Sequence, residues 1–298
     1  MKVFIVGSLN MDLVIRAPFM PENGVTVSGG GFMTNPGGKG ANQAAAVGKL
    51  GGNAYMVGCV GDAFGDELKN TLLGYNVNVD FVEKINGVSS GIAVIVVVDG
   101  DNRIILDAGA NGRVTESLID RALETAEAGD ILVAQLEIGL NEVEYALKKA
   151  KEKGLVTVLN PAPAKKISIE TLKNCDYFIP NQSEAEFYTG IFPEDEASAK
   201  KCALYLIKSG VKTVIITMGA KGSACIERGE YFAVDCFRVK TVDTTAAGDT
   251  YVGALVTALC EGKDIKTAMI FASKASSITV TRSGAQRSIP TREEVVIR

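Results

Sequence analysis

Short apolar runs recur along the chain, and most of them end in a turn of glycine, asparagine or proline. The first, Val3–Val6, stops at Gly7 and is rich in β-branched residues, which predicts a strand buried on both faces. The same pattern predicts strands at Ala54–Val60, Ile131–Leu136, Leu155–Leu159, Tyr177–Pro180 and Thr213–Thr217.

Between these runs, apolar residues recur at helical spacing. Helices are predicted at Gly40–Leu50, Gly65–Leu73, Glu116–Ala128, Asn141–Lys153, Ser183–Thr189, Glu194–Ser209, Ala247–Leu259 and Ile265–Val280. Strands separated by helices of this length indicate a parallel sheet with helices on both of its faces.

Several β-rich segments fall outside this alternation. A turn at Asp99–Asn102 separates two such runs, a good hairpin signal. The two runs that this turn joins are Gly91–Val98 and Arg103–Leu106. The other β-rich segments are Gly24–Phe32 and a late hairpin at Ser223–Ile226 and Tyr231–Val234. We expect one α/β domain over residues 1–298, with a small accessory sheet from about 13–35 and 88–107 that could cover a site.

Composition narrows the class of protein. Hydrophobic residues make up 47% and charged residues 22%, and the net charge is −4, which argues against a nucleic-acid partner bound by bulk positive charge. The longest apolar run, Ile92–Val98, is far shorter than the roughly 20 residues of a membrane helix. We therefore expect a cytoplasmic protein that binds neither nucleic acid nor membrane.

The chain contains no histidine, which excludes every mechanism with an imidazole base or a histidine metal ligand. A general base must then be a carboxylate, lysine, tyrosine or cysteine. None of the six cysteines forms a C-x-x-C pair, so buried, reduced thiols are expected.

Two glycine-rich turns lead into helices. In Gly37–Ala44 (GGKGANQA), exposed amides and Lys39 suit a polyhydroxy or anionic ligand, although a plain helix entry with a solvated lysine gives the same pattern. In Val242–Thr250 (VDTTAAGDT), amides at the helix start could stabilise a transferred phosphoryl group, and Asp249 is placed to accept a proton. The alternative is that Asp249 only caps the helix.

Two further segments follow predicted strands. Asn181 and Glu184 could orient water on a magnesium ion, or form a helix capping pair, and both roles are compatible. Thr217–Gly222 (TMGAKG) is either a nucleotide loop or a glycine turn into the next hairpin.

Taken together and in this order, the motifs resemble the PfkB-type carbohydrate kinases, and within them the ribokinase branch, over nearly the full length. The resemblance rests on GSLNMD (Gly7–Asp12), GGKGANQA, GANG (Gly109–Gly112), AQLE (Ala134–Glu137), LNPAPA (Leu159–Ala164), PNQSEAE (Pro180–Glu186), TMGAKG, VDTTAAGDT and VTRSGAQRS (Val280–Ser288).

The resemblance implies a three-layer α/β/α sandwich with a small β-sheet lid, through which members commonly form homodimers. It also implies transfer of the ATP γ-phosphoryl group to a sugar hydroxyl, for the ribokinase branch the 5-hydroxyl of D-ribose. Alternatives are a kinase for 2-deoxyribose or another sugar, and a sugar-binding protein without catalysis. A dinucleotide oxidoreductase is disfavoured because no G-x-G-x-x-G follows the first strand.

The resemblance also assigns residues. Asp249 is the implied base, and Ala246, Ala247 and Gly248 form the implied anion hole. The implied sugar contacts are Asn10, Asp12, Gly38, Lys39, Asn42, Glu137 and Asp249. ATP is expected along Asn181, Thr217, Gly219, Gly222, Gly248 and Ser273, the last standing where ribokinases often have histidine or asparagine near adenine. Magnesium is expected at Glu184 through water, and potassium at Asp243, Thr245, Thr279, Arg282, Gly284 and Ser288.

Overall fold

The computed structural model describes residues 1–297, and its largest element is a nine-stranded sheet. The strands of this sheet are β1 (Lys2–Val6), β4 (Asn53–Val60), β5 (Val77–Lys84), β8 (Ile131–Ala134), β9 (Val156–Leu159), β10 (Tyr177–Phe178), β11 (Thr213–Thr217), β12 (Ser223–Glu227) and β13 (Glu230–Val234). A second, four-stranded sheet contains β2 (Asn10–Arg16), β3 (Gly30–Gly37), β6 (Gly91–Val98) and β7 (Asp101–Asp107).

Helices connect most of these strands. The α-helices are α1 (Lys39–Lys49), α2 (Gly65–Leu73), α3 (Glu116–Glu124), α4 (Leu140–Glu152), α5 (Ile169–Lys173), α6 (Gln182–Thr189), α7 (Glu196–Lys208), α8 (Ala247–Cys260), α9 (Ile265–Thr279) and α10 (Arg292–Ile297). Within the described residues, no helix is both long and apolar enough to cross a membrane.

The large sheet has the order β13-β12-β11-β10-β9-β8-β1-β4-β5. All pairings from β5 to β11 are parallel, and β12 and β13 extend the β11 edge as an antiparallel hairpin. Along β1, alternate residues belong to separate apolar cores: Val3 and Ile5 pack with α1, α8 and α9, whereas Phe4 and Val6 pack with α3, α4 and α7. This is the predicted three-layer α/β/α architecture.

The small sheet, called the lid below, has the order β3-β2-β6-β7. Its two inner strands pair in parallel although 74 residues separate Arg16 from Gly91 in the numbering, so distant segments form one sheet. The predicted hairpin is confirmed: β6 and β7 are antiparallel, and Asp99 (φ 52°) and Gly100 (φ 86°) adopt the left-handed pair that matches strand twist.

Several elements differ from the sequence prediction. The short helices α5 and α10 were not predicted, and β8 and β10 each end two residues before the expected Leu136 and Pro180. The β-rich segment at Gly24–Phe32 forms a strand only from Gly30 onward, in β3, because pairing with β2 continues to the Asn10–Gly37 pair. Strand β5 was not predicted; its sequence, VNVDFVEK, is partly polar because β5 is the edge of the large sheet. Helix α3 ends at Glu124, before the expected Ala128.

Candidate active site

Polar residues collect where the parallel strands of the large sheet end. Ser8 follows β1, Glu137 follows β8, Asn160 follows β9, Asn181 follows β10, and Thr217 closes β11. From β1 the chain proceeds to β4 on one side, whereas β8 to β11 extend on the other side. Ligands of open α/β sheets bind at such a reversal of strand order, so this edge is the candidate active site.

The first glycine turn is pressed against the strand ends. Gly38 has φ 88°, and a Cβ there would lie 2.7 Å from the Asn10 nitrogen, so a side chain would both strain and block the turn. The Lys39 amide donates to the Glu137 carboxylate at 3.0 Å, and the Ser8 hydroxyl donates to the same oxygen at 2.6 Å. Glu137 is therefore fixed next to the start of α1.

Asp249 lies in the first turn of α8 and is 7% exposed. Asn42 Nδ2 donates to one carboxylate oxygen at 2.9 Å, and Gln43 Nε2 donates to the other at 3.0 Å. Because an ionised carboxylate has about four lone-pair positions, each oxygen keeps capacity for a substrate hydroxyl. The structure thus brings the predicted base beside a predicted sugar-binding residue.

Four carboxylates influence one another and Lys39 in this cleft. Burial raises the pKa of Asp12 to about 7, with smaller contributions from the charges of Glu137 and Asp249. Burial lowers the pKa of Lys39, but the charges of Asp249, Glu137 and Glu184 more than offset this and leave it raised. Lys39 is therefore a cation surrounded by acids, in the position expected for a group that binds polar ligands.

Asn10 is oriented by a residue of the GANG motif. The buried Asn111 donates to Asn10 Oδ1 at 2.7 Å, and its own Oδ1 accepts from the Leu9 amide at 2.9 Å. With its oxygen occupied by Asn111, Asn10 has its amide nitrogen to offer to another acceptor.

The start of α8 is open. Ala246 precedes it in a left-handed conformation (φ 61°), and no side chain caps the helix. The Ala247 amide donates to the Thr244 carbonyl at 3.2 Å, while a Cβ on Gly248 would meet nothing within 4 Å. The first amides of a helix carry partial positive charge, so an open start beside Asp249 suits an anionic group.

The arrangement of Asn181 and Glu184 is compatible with both roles considered for them, helix capping and the orientation of water on a magnesium ion. They form a capping box for α6, in which both Glu184 oxygens accept from Asn181, at 2.9 and 3.0 Å. Burial raises the pKa of Glu184, a shift that the Asn181 amide and Lys39 reduce and Asp249 increases. Because its oxygens already have partners, Glu184 fits a magnesium ion held through water better than a directly bound one.

Residues predicted along ATP adjoin this cap. Asn181 forms a parallel bridge with Thr217, and Gly219 (φ 56°) and Gly222 (φ 85°) turn the chain into β12. Ser273 is buried on α9, where its hydroxyl donates to the Asp235 carbonyl at 3.1 Å.

The residues predicted for potassium are only partly assembled by direct contacts. Asp243 accepts from the Thr245 amide (2.9 Å), the Thr245 hydroxyl (2.7 Å) and the Gly284 amide (3.0 Å). Burial raises the pKa of Asp243, but these hydrogen bonds lower it by more, so the net shift of the pKa is downward. The remaining side chains have other partners: Thr279 donates to Thr250, Arg282 to Glu294, and Ser288 to the Ala285 carbonyl.

Sequence reasoning missed five residues that hold the site together, although all belong to motifs that it singled out. Their signal was membership of a motif combined with a polar side chain in an otherwise buried position. They are Ser8, Gln43, Asn111, Gln135 and Asn160.

The fold and the site define a class of enzyme: a lidded α/β protein with a buried carboxylate at an open helix start. Residues 1–292 match the model of the pfkB family carbohydrate kinases. The chain belongs to this family and is a ribokinase-type carbohydrate kinase.

Individual relatives match this chain along nearly its full length. The chain is 40% identical to the ribokinase of Haemophilus influenzae, covering 98% of this chain and 96% of the relative. It is 35% identical to a deoxyribokinase of Salmonella typhi, with 99% and 97% covered. The structure of Arabidopsis thaliana ribokinase complexed with ribose and ATP superimposes with a TM-score of 0.91 at 32% identity, covering 99% and 97%.

Proposed function

We propose that this chain transfers the γ-phosphoryl group of ATP to the 5-hydroxyl of D-ribose, giving ribose 5-phosphate and ADP, and that residues 1–298 act as one kinase domain. The observation that carries the proposal is the buried Asp249 carboxylate, held by two amides at the open start of α8. The likeness to ribokinases, one of them solved with ribose and ATP, supports the choice of substrates.

In the proposed reaction, the 5-hydroxyl loses its proton to Asp249. Its oxygen then bonds to the γ-phosphorus as the bond from that phosphorus to the bridging oxygen of ADP breaks. Phosphoryl transfer needs positioning and charge stabilisation more than covalent help from the protein. The amides of Ala246–Gly248 stabilise the transferred group, with support from the helix start.

The sugar occupies the acidic cleft beside the first glycine turn. Carboxylates accept hydrogen bonds from sugar hydroxyls, while Lys39 and amide nitrogens donate to sugar oxygens. The proposed sugar contacts are Asn10, Asp12, Gly38, Lys39, Asn42 and Glu137.

ATP lies along the neighbouring strand ends, at Asn181, Thr217, Gly219, Gly222, Gly248 and Ser273. Glu184 would hold magnesium through water, and the bound ion would supply positive charge that neutralises the phosphates. Potassium is proposed at the oxygen atoms of Asp243, Thr245, Thr279, Arg282, Gly284 and Ser288, where it would tune the field at the helix start. The lid covers the sugar and forms the homodimer contact.

The first test is ADP release with ATP, magnesium and potassium across D-ribose, 2-deoxyribose, fructose and adenosine. We expect strong turnover on ribose, and Asp249→Asn to lower kcat by at least about 10²-fold while sugar and ATP still bind. Activity of Asp249→Asn within a few-fold of wild type would remove this residue from the role of base.

A kinase for 2-deoxyribose is the second candidate, because a deoxyribokinase is 35% identical over almost the whole chain. A site that hydrogen-bonds a 2-hydroxyl rejects the sugar that lacks it by a large factor. Faster turnover of 2-deoxyribose than of ribose would therefore favour this candidate, and binding without turnover of any sugar would favour a non-catalytic protein.

A further inference from the structure

Asp249 accepts a hydrogen bond from the first of a series of side-chain amides, which we call the amide chain and which extends away from the cleft. Gln135 Nε2 donates to Gln43 Oε1 at 2.7 Å. Gln43 Nε2 in turn donates to Asp249 at 3.0 Å and to Asn160 Oδ1 at 3.1 Å. Asn160 Nδ2 donates to the Ile179 carbonyl at 2.9 Å, which anchors the far end in the backbone.

The direction of each bond matters because an amide offers different chemistry at its two ends. If the Gln43 amide rotated by 180°, its oxygen would face the Asp249 carboxylate and the Asn160 oxygen, giving two contacts between acceptors. Gln135 opposes this rotation by placing an N–H at the Gln43 oxygen. Both glutamines are fully buried, so bulk water does not compete for either partner.

We infer that Gln135 and Asn160 are positioning residues: through Gln43, they fix the Asp249 carboxylate in the orientation that receives the substrate proton. Gln43 contacts the carboxylate directly, whereas Gln135 acts only through Gln43. The chain of amides connects the ends of β8 and β9 to α1 and α8, so it also ties this edge of the large sheet to the reacting group. The catalytic part of this inference rests on the proposed function.

The kinetic test replaces each glutamine by methionine, which is similar in size and lacks the amide. Gln135→Met is expected to lower kcat at least about 10-fold, since small displacements of a catalytic group are costly, with the KM values for ribose and ATP within two-fold. Gln43→Met should lower kcat at least as much, and the double variant should be no slower than Gln43→Met alone. An additive effect, or an unchanged kcat in Gln135→Met, would overturn the inference.

Thr257→Val is the matched control. It removes a different buried hydrogen bond on α8, from the Thr257 hydroxyl to the Gly253 carbonyl at 2.8 Å. This variant should lose thermal stability and keep kcat, which separates positioning from a general effect of burying an apolar group.

A second measurement does not depend on turnover. In ¹⁵N–¹H spectra of the wild-type protein, the Gln43 side-chain amide, assigned by its absence in Gln43→Met, should exchange slowly with solvent. Its signal should move in both Gln135→Met and Asp249→Asn. A signal that does not move in either one of these variants would refute the hydrogen bonds of the amide chain, and movement in both variants would support them. This result does not depend on whether the protein phosphorylates any sugar. Loss of the proposed function alone would instead appear as a wild-type protein inactive on every sugar.

Discussion

At the scale of single residues, a buried carboxylate in the acidic cleft lowers the stability of the folded protein. Asp12 is partly buried near Glu137 and Asp249, and its pKa is raised to about 7 chiefly by that burial. An aspartate in the unfolded chain has a pKa near 3.8. Between these values the folded state binds more protons than the unfolded state, so this residue's contribution to stability falls as the pH rises from about 4 to 7.

The variant Asp12→Asn should therefore melt at a higher temperature than wild type at pH 8, with a smaller difference at pH 5. After allowance for solvent screening we expect roughly 1 kcal/mol, or about 2 °C or more in a chain of this size. The measurement is thermal unfolding of both proteins at the two pH values without ligand.

Asp101→Asn, on the exposed lid strand β7, controls for the loss of one negative charge. A gain for Asp12→Asn that is equal at pH 5 and pH 8, or absent at pH 8, would contradict the shifted titration. The variant Asp12→Asn should also bind sugar more weakly than wild type, if Asp12 accepts a sugar hydroxyl as proposed.

At the scale of elements, the site depends on how closely two helices approach. A Cβ on Gly253 of α8 would lie 2.4 Å from the Ala46 Cβ and 2.9 Å from the Gln43 carbonyl oxygen on α1. No side chain fits at these distances without movement of the helices. The glycine therefore permits the contact through which Asn42 and Gln43 reach Asp249.

Gly253→Ala should move the two helices apart. Overpacking of this kind costs roughly 1–3 kcal/mol, and the better helix propensity of alanine returns less than about 1 kcal/mol. We expect a lower melting temperature and a kcat that falls more than the KM for sugar rises. Gly112→Ala, at an exposed position where a Cβ meets nothing within 4 Å, should leave both unchanged. A fully stable and active Gly253→Ala would contradict the close packing.

The elements also show what the sequence could predict. The buried strands β1, β4 and β11 were predicted within one residue at each end, because continuous apolar runs bounded by turns are a strong local signal. Strand β5 and the position of β3 were not predicted, because both depend on which strand lies alongside.

The same distinction applies to the site. The resemblance to the carbohydrate kinases predicted that Asn42 and Asp249 share one sugar site, although 207 positions separate them along the chain. The links through Gln43, Gln135 and Asn160 depend on side-chain directions across four elements, and no local pattern encodes these. Tertiary contact, rather than sequence periodicity, decides that part of the structure.

At the scale of the whole molecule, the lid leaves apolar side chains uncovered on both of its faces. On β7, Ile104, Ile105 and Leu106 are 54%, 66% and 55% exposed, and Phe32 on β3 is 64% exposed. Strand β7 is also an edge of the lid sheet, and exposed apolar edge strands tend to pair with other chains. A second copy of this chain, bound lid to lid on the face that carries Ile105 and lies opposite Asp12, would cover that face in both copies.

Ile105→Lys should convert a dimer into a monomer, because it would bury a lysine charge against apolar side chains in the contact. Light scattering at a protein concentration of about 10 μM measures the mass, and circular dichroism checks that the fold persists. Ile169→Lys is a matched control, since Ile169 on α5 is 64% exposed but lies outside the lid, and it should remain a dimer. A monomeric wild type would refute the dimer itself, whereas a dimeric Ile105→Lys would move the contact to another face. Since the lid is also proposed to cover the sugar, a lid contact predicts that Ile105→Lys raises the KM for sugar above the wild-type value by a larger factor than it raises the KM for ATP.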